Sequence, residues 1–521
     1  MISSHPVDVV LAARLLGVCV ALSCALIIRQ LFYHPLSGVP GPRLAALTSW
    51  WECIIDLHRD GGGRYYFYLK RLHEEYACPI VRIGPNEVHV TDNSWLPTLF
   101  GAPGSVRHKS LAHILGSNLG SAFGTVDHYL HRQRRASIAP LFSTRAVKAI
   151  EPEIQATVEQ LCMMFQQMKD DEQIIELRRL FLAFATDVST SYIFRESLGM
   201  LQSPAKTNDF ATSFSKMQGL FPLLKQCLWL VPCALKAPLW LVQIVMPGVV
   251  PLLQMYRVSA NCEVEKQDLF RAILESKLPP HEKSYHRIAH EGVEALIAGS
   301  LTTGRVLALA TFHILSSAVI LGKVQDEAHK VMPDHATIPS IAVLESSAYL
   351  RAIVKEALRL AHIVTARFPV VAPREDLHYQ GHTLPANTII SVTPAWTLMN
   401  SDVFAEPYTF RPERWLEADT AHLAMMEQYW IPFGLGNRRC LGIKRVILIH
   451  AAENDQTDVI NCSFAMTNIL TALTVVFRRF QLELVDTVRE RDVDHSRTWF
   501  IGEPRADSLG IRVRVVKAKE A

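Results

Sequence analysis

The ten residues 433–442, FGLGNRRCLG, constrain this chain more than any other stretch of its sequence. Gly436 and Gly442 allow a tight backbone turn and leave room for a flat group to approach. Backbone N–H groups in such a loop can point at the Cys440 sulfur and favour its thiolate form. Arg438 offers a forked donor for a carboxylate. Together these features predict a haem held by sulfur; the simpler alternative is a buried free cysteine in a glycine-rich turn.

The bulk composition indicates one large, mostly helical unit. The chain has 521 residues, of which 49% are apolar, and no linker, charge block or internal repeat divides it. The net charge of +3 is too small to indicate a nucleic-acid partner. The ten cysteines are scattered without any CxxC pair, which favours a reducing compartment over a disulfide framework.

An apolar run at residues 9–28 predicts a membrane anchor. It carries a single charge, Arg14, and is about 30 Å long as a helix, which is enough to cross a bilayer. Asp8 precedes the run and Arg29 follows it, so the C-terminal bulk is expected on the cytosolic side. We therefore assign residues 1–32 to the anchor, with a cleaved signal peptide as the alternative.

The remaining organisation follows from prolines and apolar patterning. Residues 33–43, YHPLSGVPGPR, predict a stiff hinge because their prolines prevent the helix from continuing. We expect residues 44–521 to form the remaining, main domain. A second apolar run at 237–256 contains three prolines, so we expect it to dip into the membrane rather than span it.

A second candidate element is the long apolar stretch at 290–317, which predicts one buried helix. At its centre Ala298 and Gly299 are small enough for a flat cofactor to come close. The hydroxyl of Thr302 can bond back to a helix carbonyl and open a groove for O2 and a water molecule. This helix is therefore the predicted oxygen-binding side of the site.

Four stretches, in this order along the chain, carry a family resemblance. They are HRQRR at 131–135, EALR at 356–359, FRPERW at 410–415 and the cysteine loop, which matches F-x-x-G-x-R-x-C-x-G at every fixed position. The sequence resembles the cytochrome P-450 superfamily from the hinge to about residue 516. The phrases YHPLSGVPGP, VRIGPNEVHV and VFRRFQLEL resemble fungal microsomal members of the trichodiene-oxygenase type.

The resemblance implies a mainly α P-450 fold, in which an N-terminal transmembrane helix precedes a large helical domain with small β-sheets. It implies haem b with Cys440 as the axial iron ligand, and Thr302 as the residue that positions oxygen and its protons. The remaining cofactor-binding residues implied are Arg438, His131, Arg135, Phe433, Gly436, Gly442, Ala298 and Gly299. Of these, Arg438, His131 and Arg135 would hold the haem carboxylates.

The E-x-x-R stretch predicts a structural ion cluster. Glu356 and Arg359 are at i, i+3 on one helical face and can pair. Arg414 can complete a buried Glu–Arg–Arg cluster behind the haem. A surface ion pair is the ordinary meaning of this pattern, and only its order before Cys440 favours the cluster.

Two positions depart from the family pattern. The family has an acid, a proton donor to bound dioxygen, where this chain has Leu301. This puts the efficiency of O–O cleavage in doubt or points to chemistry without that relay; the neutral alternative is that solvent supplies the proton by another route. Related fungal sequences usually have arginine where Val370 stands, and Arg367 and Arg374 are alternative replacements as a haem-carboxylate partner.

Residues 444–462 interrupt the family spacing directly after the cysteine loop. The following residues, 463–480, have the length and apolar pattern of the helix expected there, and removing the 19 residues restores the spacing. The segment is either a translated intron or gene-model error, or a true insertion on the face where a redox partner docks.

The implied function is a single-pass monooxygenase of the endoplasmic reticulum membrane with its catalytic domain in the cytosol. Electrons would come from NADPH through a separate reductase, with cytochrome b5 as a further donor. The substrate would be a small hydrophobic terpenoid, polyketide or alkaloid intermediate. The alternatives are a haem-thiolate enzyme that rearranges or dehydrates its substrate without O2, and a product inactivated by residues 444–462.

Overall fold

The structure, a computed structural model, describes residues 6–58, 62–101, 104–111, 120–230, 233, 236–245, 250, 268–443 and 464–518. The chain divides into two compact units, one of residues 1–110 and 367–392 and the other of residues 111–366 and 393–521. The predicted insertion at 444–462 lies outside the described residues, as does most of the second half of the apolar run at 237–256.

Helices dominate the described residues. They are α1 Pro6–Ile28, α2 Arg43–Leu47, α3 Trp50–His58, α4 Tyr65–Tyr76, α5 Leu96–Phe100, α6 His128–Ile138, α7 Thr144–Ala149, α8 Glu151–Asp170, α9 Leu177–Phe194, α10 Pro204–Gln226, α11 Leu239–Val245, α12 Asp268–Leu274, α13 Tyr285–Leu315, α14 Ala318–Val331, α15 Ile341–Ser346, α16 Ala348–Leu360, α17 Pro394–Thr397, α18 Arg414–Glu417, α19 Thr420–Tyr429 and α20 Phe464–Arg479. The strands are β1 Ile80–Gly84, β2 Glu87–Val90, β3 His108–Lys109, β4 Ile175–Glu176, β5 Phe368–Val371, β6 Leu377–Tyr379, β7 His382–Leu384, β8 Ile389–Val392, β9 Phe480–Leu484, β10 Arg497–Thr498, β11 Gly502–Glu503 and β12 Arg512–Ala518.

The strands form small sheets within each unit. In the first unit the order is β1-β2-β8-β5-β3, antiparallel except for the β2–β8 pair, with β6 and β7 as a separate hairpin. In the second unit β12 lies between β4 and β9, and β10 pairs with β11. The predicted fold class, mainly helical with small sheets, is confirmed.

The core of the second unit is built around α13 and α20. Helix α13 begins five residues before the start of the predicted 290–317 element and ends two residues before the end of that element. It crosses α9 closely at Gly304, where an added Cβ would lie 2.8 Å from the backbone nitrogen of Leu182. Helix α20 matches the predicted 463–480 element and is buried along nearly its whole length. These contacts hold the middle of α13 in a fixed position.

Two helices of the described residues are long and apolar enough to cross a membrane. One is Ala13–Tyr33, and its apolar window has no buried residues. The other is α13, whose corresponding window is 61% buried, as expected of a core helix. Within the second apolar run, α11 exposes Trp240 and Ile244, at 63% and 72% of their surface.

Candidate active site

The cysteine loop is organised by its own backbone. The Cys440 N–H donates to the Phe433 carbonyl at 2.8 Å, which closes the loop between the two ends of the motif. Gly436 has φ +63°, a left-handed conformation that favours glycine. The Gly442 N–H donates to Cys440 Sγ at 3.3 Å. The backbone donor predicted to face the sulfur is therefore in place.

The Cys440 side chain is exposed, yet the surrounding protein desolvates the thiol and raises its pKa. The Gly442 N–H and the positive charge of Arg135 oppose that shift because both favour the thiolate. The Cys440 side chain is thus accessible to a ligand.

Two arginines predicted to hold carboxylates flank this loop. Arg438 donates to the Thr125 carbonyl and, at 2.8 Å, to the Val126 carbonyl. Burial lowers its pKa to about 10, opposed by the charge of Asp127. Arg135 donates to the Arg439 carbonyl at 2.7 Å. Both guanidinium groups therefore lie beside the cysteine loop and are held by backbone oxygens.

Helix α6 supplies Arg135 and His131 from successive turns. The helix begins after Asp127, whose side chain accepts the Leu130 N–H at 2.8 Å and caps the first turn. His131 is buried, and Arg135 is partly buried. The two residues therefore occupy one side of a capped helix, as their i, i+4 spacing predicts.

On α13, Thr302 Oγ1 donates to the Ala298 carbonyl at 2.7 Å, which is the predicted back-bond. Ala298 itself is exposed. Gly299 has a different environment from the one predicted, since an added Cβ would lie 2.5 Å from Ser189 Oγ of α9. The expectation that Gly299 makes room for a flat cofactor is therefore corrected: the close approach at this glycine is that of a neighbouring helix.

Leu301 belongs to an apolar cluster, which we call the α10 cluster. The cluster joins α13 and α10 to the segment before β11, and its other members are Phe214, Met217, Leu220, Phe221, Leu224, Leu230, Ile297, Trp499, Phe500 and Ile501. A carboxylate at the partly buried Leu301 position would be placed among these apolar side chains. The departure from the family pattern therefore has a packing reason in this chain.

The Glu356 carboxylate forms the predicted cluster. It accepts from Arg359 Nη2 at 2.8 Å and from Arg414 Nε at 3.0 Å, and it also accepts the Trp415 indole N–H at 3.0 Å. Neither Glu356 nor Arg359 exposes any side-chain surface. Arg359 additionally donates to the Leu398 carbonyl at 3.0 Å. This cluster joins α16 to the chain that leads into the cysteine loop.

Arg367 and Arg374 are the two arginines predicted as alternatives to the family arginine at the Val370 position, and Arg367 already pairs with two carboxylates of the protein. It donates to both oxygens of Glu52 at 2.7 and 2.6 Å and to Glu87 at 2.7 Å, all within the first unit. Burial alone would lower the pKa of Arg367, but its two carboxylate partners outweigh that effect and raise the pKa. The alternative that Arg367 serves a haem carboxylate is therefore wrong. Arg374 is exposed.

Sequence reasoning missed a buried charged group that we call the 282–291 cluster. Arg134 pairs with Glu282 at 2.7 Å, and Arg287 pairs with Glu291 at 2.8 Å. All four side chains are buried. Arg134 and Glu282 are 148 residues apart in the sequence, so no local sequence pattern predicts their contact.

The 282–291 cluster holds the loop that in turn holds Arg438. Glu291 accepts the Ala122 N–H at 3.0 Å, and Arg134 Nη1 donates to Thr125 Oγ1 at 2.9 Å. The neighbouring carbonyl of Thr125 is an acceptor for Arg438. Hydrogen bonds and ion pairs therefore connect the start of α13 to the cysteine loop. Burial raises the pKa of Glu291 to about 7, opposed by the charge of Arg287.

The comparison with protein families decides what this site belongs to. Residues 46–444 match the family described as Cytochrome P450. The chain belongs to the cytochrome P450 family. The P450 match ends at residue 444, where the predicted insertion begins.

Curated relatives of this P450 are fungal enzymes that match over nearly their whole length. The N-acetyltryptophan 6-hydroxylase of Emericella nidulans is 34% identical over 94% of each chain. The tryptophan 6-hydroxylase of Fusarium equiseti is 33% identical over 95% of each chain. The cytochrome P450 monooxygenase TRI4 of Trichoderma arundinaceum is 30% identical over 97% of each chain. This P450 is accordingly a haem-thiolate oxidoreductase similar to monooxygenases of fungal secondary metabolism.

The residues present in this P450 fit the haem that its family carries. The fit rests on the donor set: an accessible thiol at Cys440 that accepts one backbone N–H, with the cations Arg135 and Arg438 at the same loop. A thiolate ligand needs such donors, and haem carboxylates need such cations. Cys440 would therefore hold the iron, with the two arginines as the carboxylate partners.

Proposed function

We propose that this P450 is a membrane-anchored monooxygenase that hydroxylates a small hydrophobic intermediate of fungal secondary metabolism. Electrons come from NADPH through a separate reductase, and the catalytic domain faces the cytosol from the endoplasmic reticulum membrane. The observation that carries the proposal is the accessible Cys440 thiol with the Gly442 N–H directed at its sulfur. The Ala13–Tyr33 helix supports the anchor.

Haem supplies O2 activation at an iron whose electron density the thiolate increases. The chain contributes the surroundings of that chemistry. The Thr302 hydroxyl proton is engaged by the Ala298 carbonyl, so its oxygen lone pairs are available to accept a hydrogen bond from water. Thr302 therefore orients a water molecule for proton delivery, a role that Leu301 cannot take.

The substrate has an apolar body that packs against the α10 cluster. Two relatives are named for tryptophan or N-acetyltryptophan, both of which carry an aromatic ring system. The α10 cluster offers partly buried aromatic and aliphatic side chains of matching character, among them Trp499 and Phe500. N-Acetyltryptophan, tryptophan and neutral terpenoids are accordingly the first compounds to test.

The test is turnover of these compounds by the full chain and by the chain without residues 444–462, each with NADPH, O2 and a cytochrome reductase. We expect a hydroxylated product that contains one atom from labelled O2, and a strong loss of coupled product in Thr302→Val. Product formed without NADPH and reductase would instead support the rearrangement or dehydration alternative. Leu301 has a packing role in the α10 cluster, but it still lacks the proton of the family's acid, so this measurement separates the two functions.

The proposal extends to residues 444–462, which we infer to be absent from the working enzyme. The P450 family match stops at their first residue, and α20 begins directly after them with the length expected of the next family helix. Sequencing of the transcript tests this. A message without these codons supports the inference, and an abundant message that contains them contradicts it.

A further inference from the structure

Arg305 lies on the same face of α13 as the residues already placed in the site. It follows Ala298 by seven residues and Leu301 by four, which are the spacings of one helical face. Thr302 is one turn before it. Arg305 thus extends the row formed by Ala298 and Leu301 by a further turn.

The positive charge of Arg305 has no carboxylate of its own. Its Nε donates to the Ala361 carbonyl at 3.0 Å, and no ion pair joins it to a carboxylate in the described part of the chain. Glu503 is the acid whose charge stabilises it, but Glu503 already pairs with Arg178 at 3.1 Å. Two guanidinium groups therefore share one carboxylate in a region where burial makes charge costly.

The side chains around Arg305 do not supply a second negative charge. His362 follows its acceptor Ala361 in the chain and is buried, and burial holds the pKa of this imidazole well below its usual value, so it is neutral. Its Nε2 atom is buried without a hydrogen-bond partner among the described residues. In the α10 cluster the Trp499 indole N–H is likewise buried without an acceptor there.

The remaining guanidinium nitrogens of Arg305 are accessible. They make no hydrogen bond to any of the described residues, and they are not among the fully buried polar atoms there that lack a partner. Enough protein surrounds the group to lower its pKa to about 10, so it stays charged at neutral pH. Arg305 therefore presents a charged, partly desolvated fork one helical turn from Leu301, a member of the α10 cluster.

We propose that Arg305 binds the carboxylate of an amphipathic substrate whose apolar ring system packs against the α10 cluster. The planar fork of a guanidinium matches the two oxygens of a carboxylate, and partial desolvation strengthens that pairing. Because Glu503 already pairs with Arg178, a bound carboxylate would balance the positive charge of Arg305. The inference rests on the proposed function and adds the substrate class, a carboxylic acid.

The test compares acids with neutral partners of the same shape. N-Acetyl-L-tryptophan is paired with its amide, and abietic acid with the corresponding alcohol, and calorimetry on the haem-loaded full chain gives each Kd. At least one acid is expected to bind more tightly than its neutral partner by about 10- to 100-fold, the range for a hydrogen-bonded charge pair. Arg305→Gln is expected to abolish that preference, while Arg305→Lys retains part of it.

The matched control is Arg497→Gln, which removes a guanidinium that lies over the Trp499 ring and donates to the Pro504 carbonyl at 3.2 Å. It is expected to keep the preference for the acid. Because the result is a ratio of two ligands on one protein, general damage to folding does not imitate it. The ferrous–CO spectrum of each variant reports separately on haem ligation and hence on the proposed function. Failure of both acids to bind better than their neutral partners, or an unchanged preference in Arg305→Gln, overturns the proposal.

Discussion

Replacing Glu356 with glutamine should destabilise the protein severely. The carboxylate accepts hydrogen bonds from Arg359, from Arg414 and from the Trp415 indole, and it has no exposed side-chain surface. Glutamine keeps the size of the side chain but removes its charge and turns one acceptor into a donor. Two buried guanidinium groups would then lack a counter-charge.

The magnitude follows from the burial of both partners. Removing one member of a buried ion pair costs about 3–5 kcal/mol of unfolding free energy because the other charge stays desolvated. Arg359 has other acceptors, including the Leu398 carbonyl at 3.0 Å, so its hydrogen bonds are not all lost. We therefore expect a loss of about 3–4 kcal/mol for Glu356→Gln, at the lower end of that range.

The assay is urea denaturation of the haem-loaded protein, followed by the loss of its ferrous–CO band. Glu417→Gln is the matched control, because Glu417 pairs with Arg411 at 2.9 Å but the two side chains are 58% and 48% exposed. We expect the control to cost less than about 1 kcal/mol. A loss below about 1 kcal/mol for Glu356→Gln as well would refute the reasoning, since the buried and exposed pairs would then be equivalent.

Three further predictions concern the site and its support. Burial raises the pKa of Glu291 from 4.5 to about 7, so between these pH values the folded state binds its proton more strongly than the unfolded state does. The contribution of Glu291 to the unfolding free energy therefore falls as the pH rises from about 4.5 to 7. Urea midpoints across that range should decline in the native protein and decline less in Glu291→Gln. Leu301→Asp should lower the melting temperature more than Leu301→Ala, because it desolvates a carboxylate in the α10 cluster, and an equal effect of the two would contradict that placement. Arg438→Gln should reduce the haem content per protein, measured by absorbance, because it removes a cation and the contact of the loop to the Thr125 carbonyl. An unchanged haem content would contradict the proposed role of Arg438.

The elements with strong local patterns were predictable from the sequence. The middle of α13, the helix α20 and the loop around Cys440 each carry their own periodicity or spacing, and only the ends of α13 differ, by a few residues. The back-bond of Thr302 follows from its position within the helix.

Features that depend on distant partners were not predictable. A glycine allows another group to approach the backbone closely, but the sequence does not say which group approaches Gly299. In the structure that group is Ser189 of α9. Glu291 reaches Ala122 across 169 residues, and the two share no local pattern. The commitment of Arg367 to Glu52 and Glu87 likewise needs the tertiary structure. Sequence patterns identify residue types suited to a role, whereas competing partners decide which residues are available.

The most direct test of the central claim is the ferrous–CO absorption spectrum of the full chain, of Cys440→Ser, and of a chain without residues 444–462. We predict a thiolate-type Soret band that Cys440→Ser loses, and a stronger band from the shortened chain if the intervening residues disturb the loop. A thiolate-type band that survives in Cys440→Ser, or its absence from both the full and the shortened chain, would contradict the assignment of Cys440 as the iron ligand.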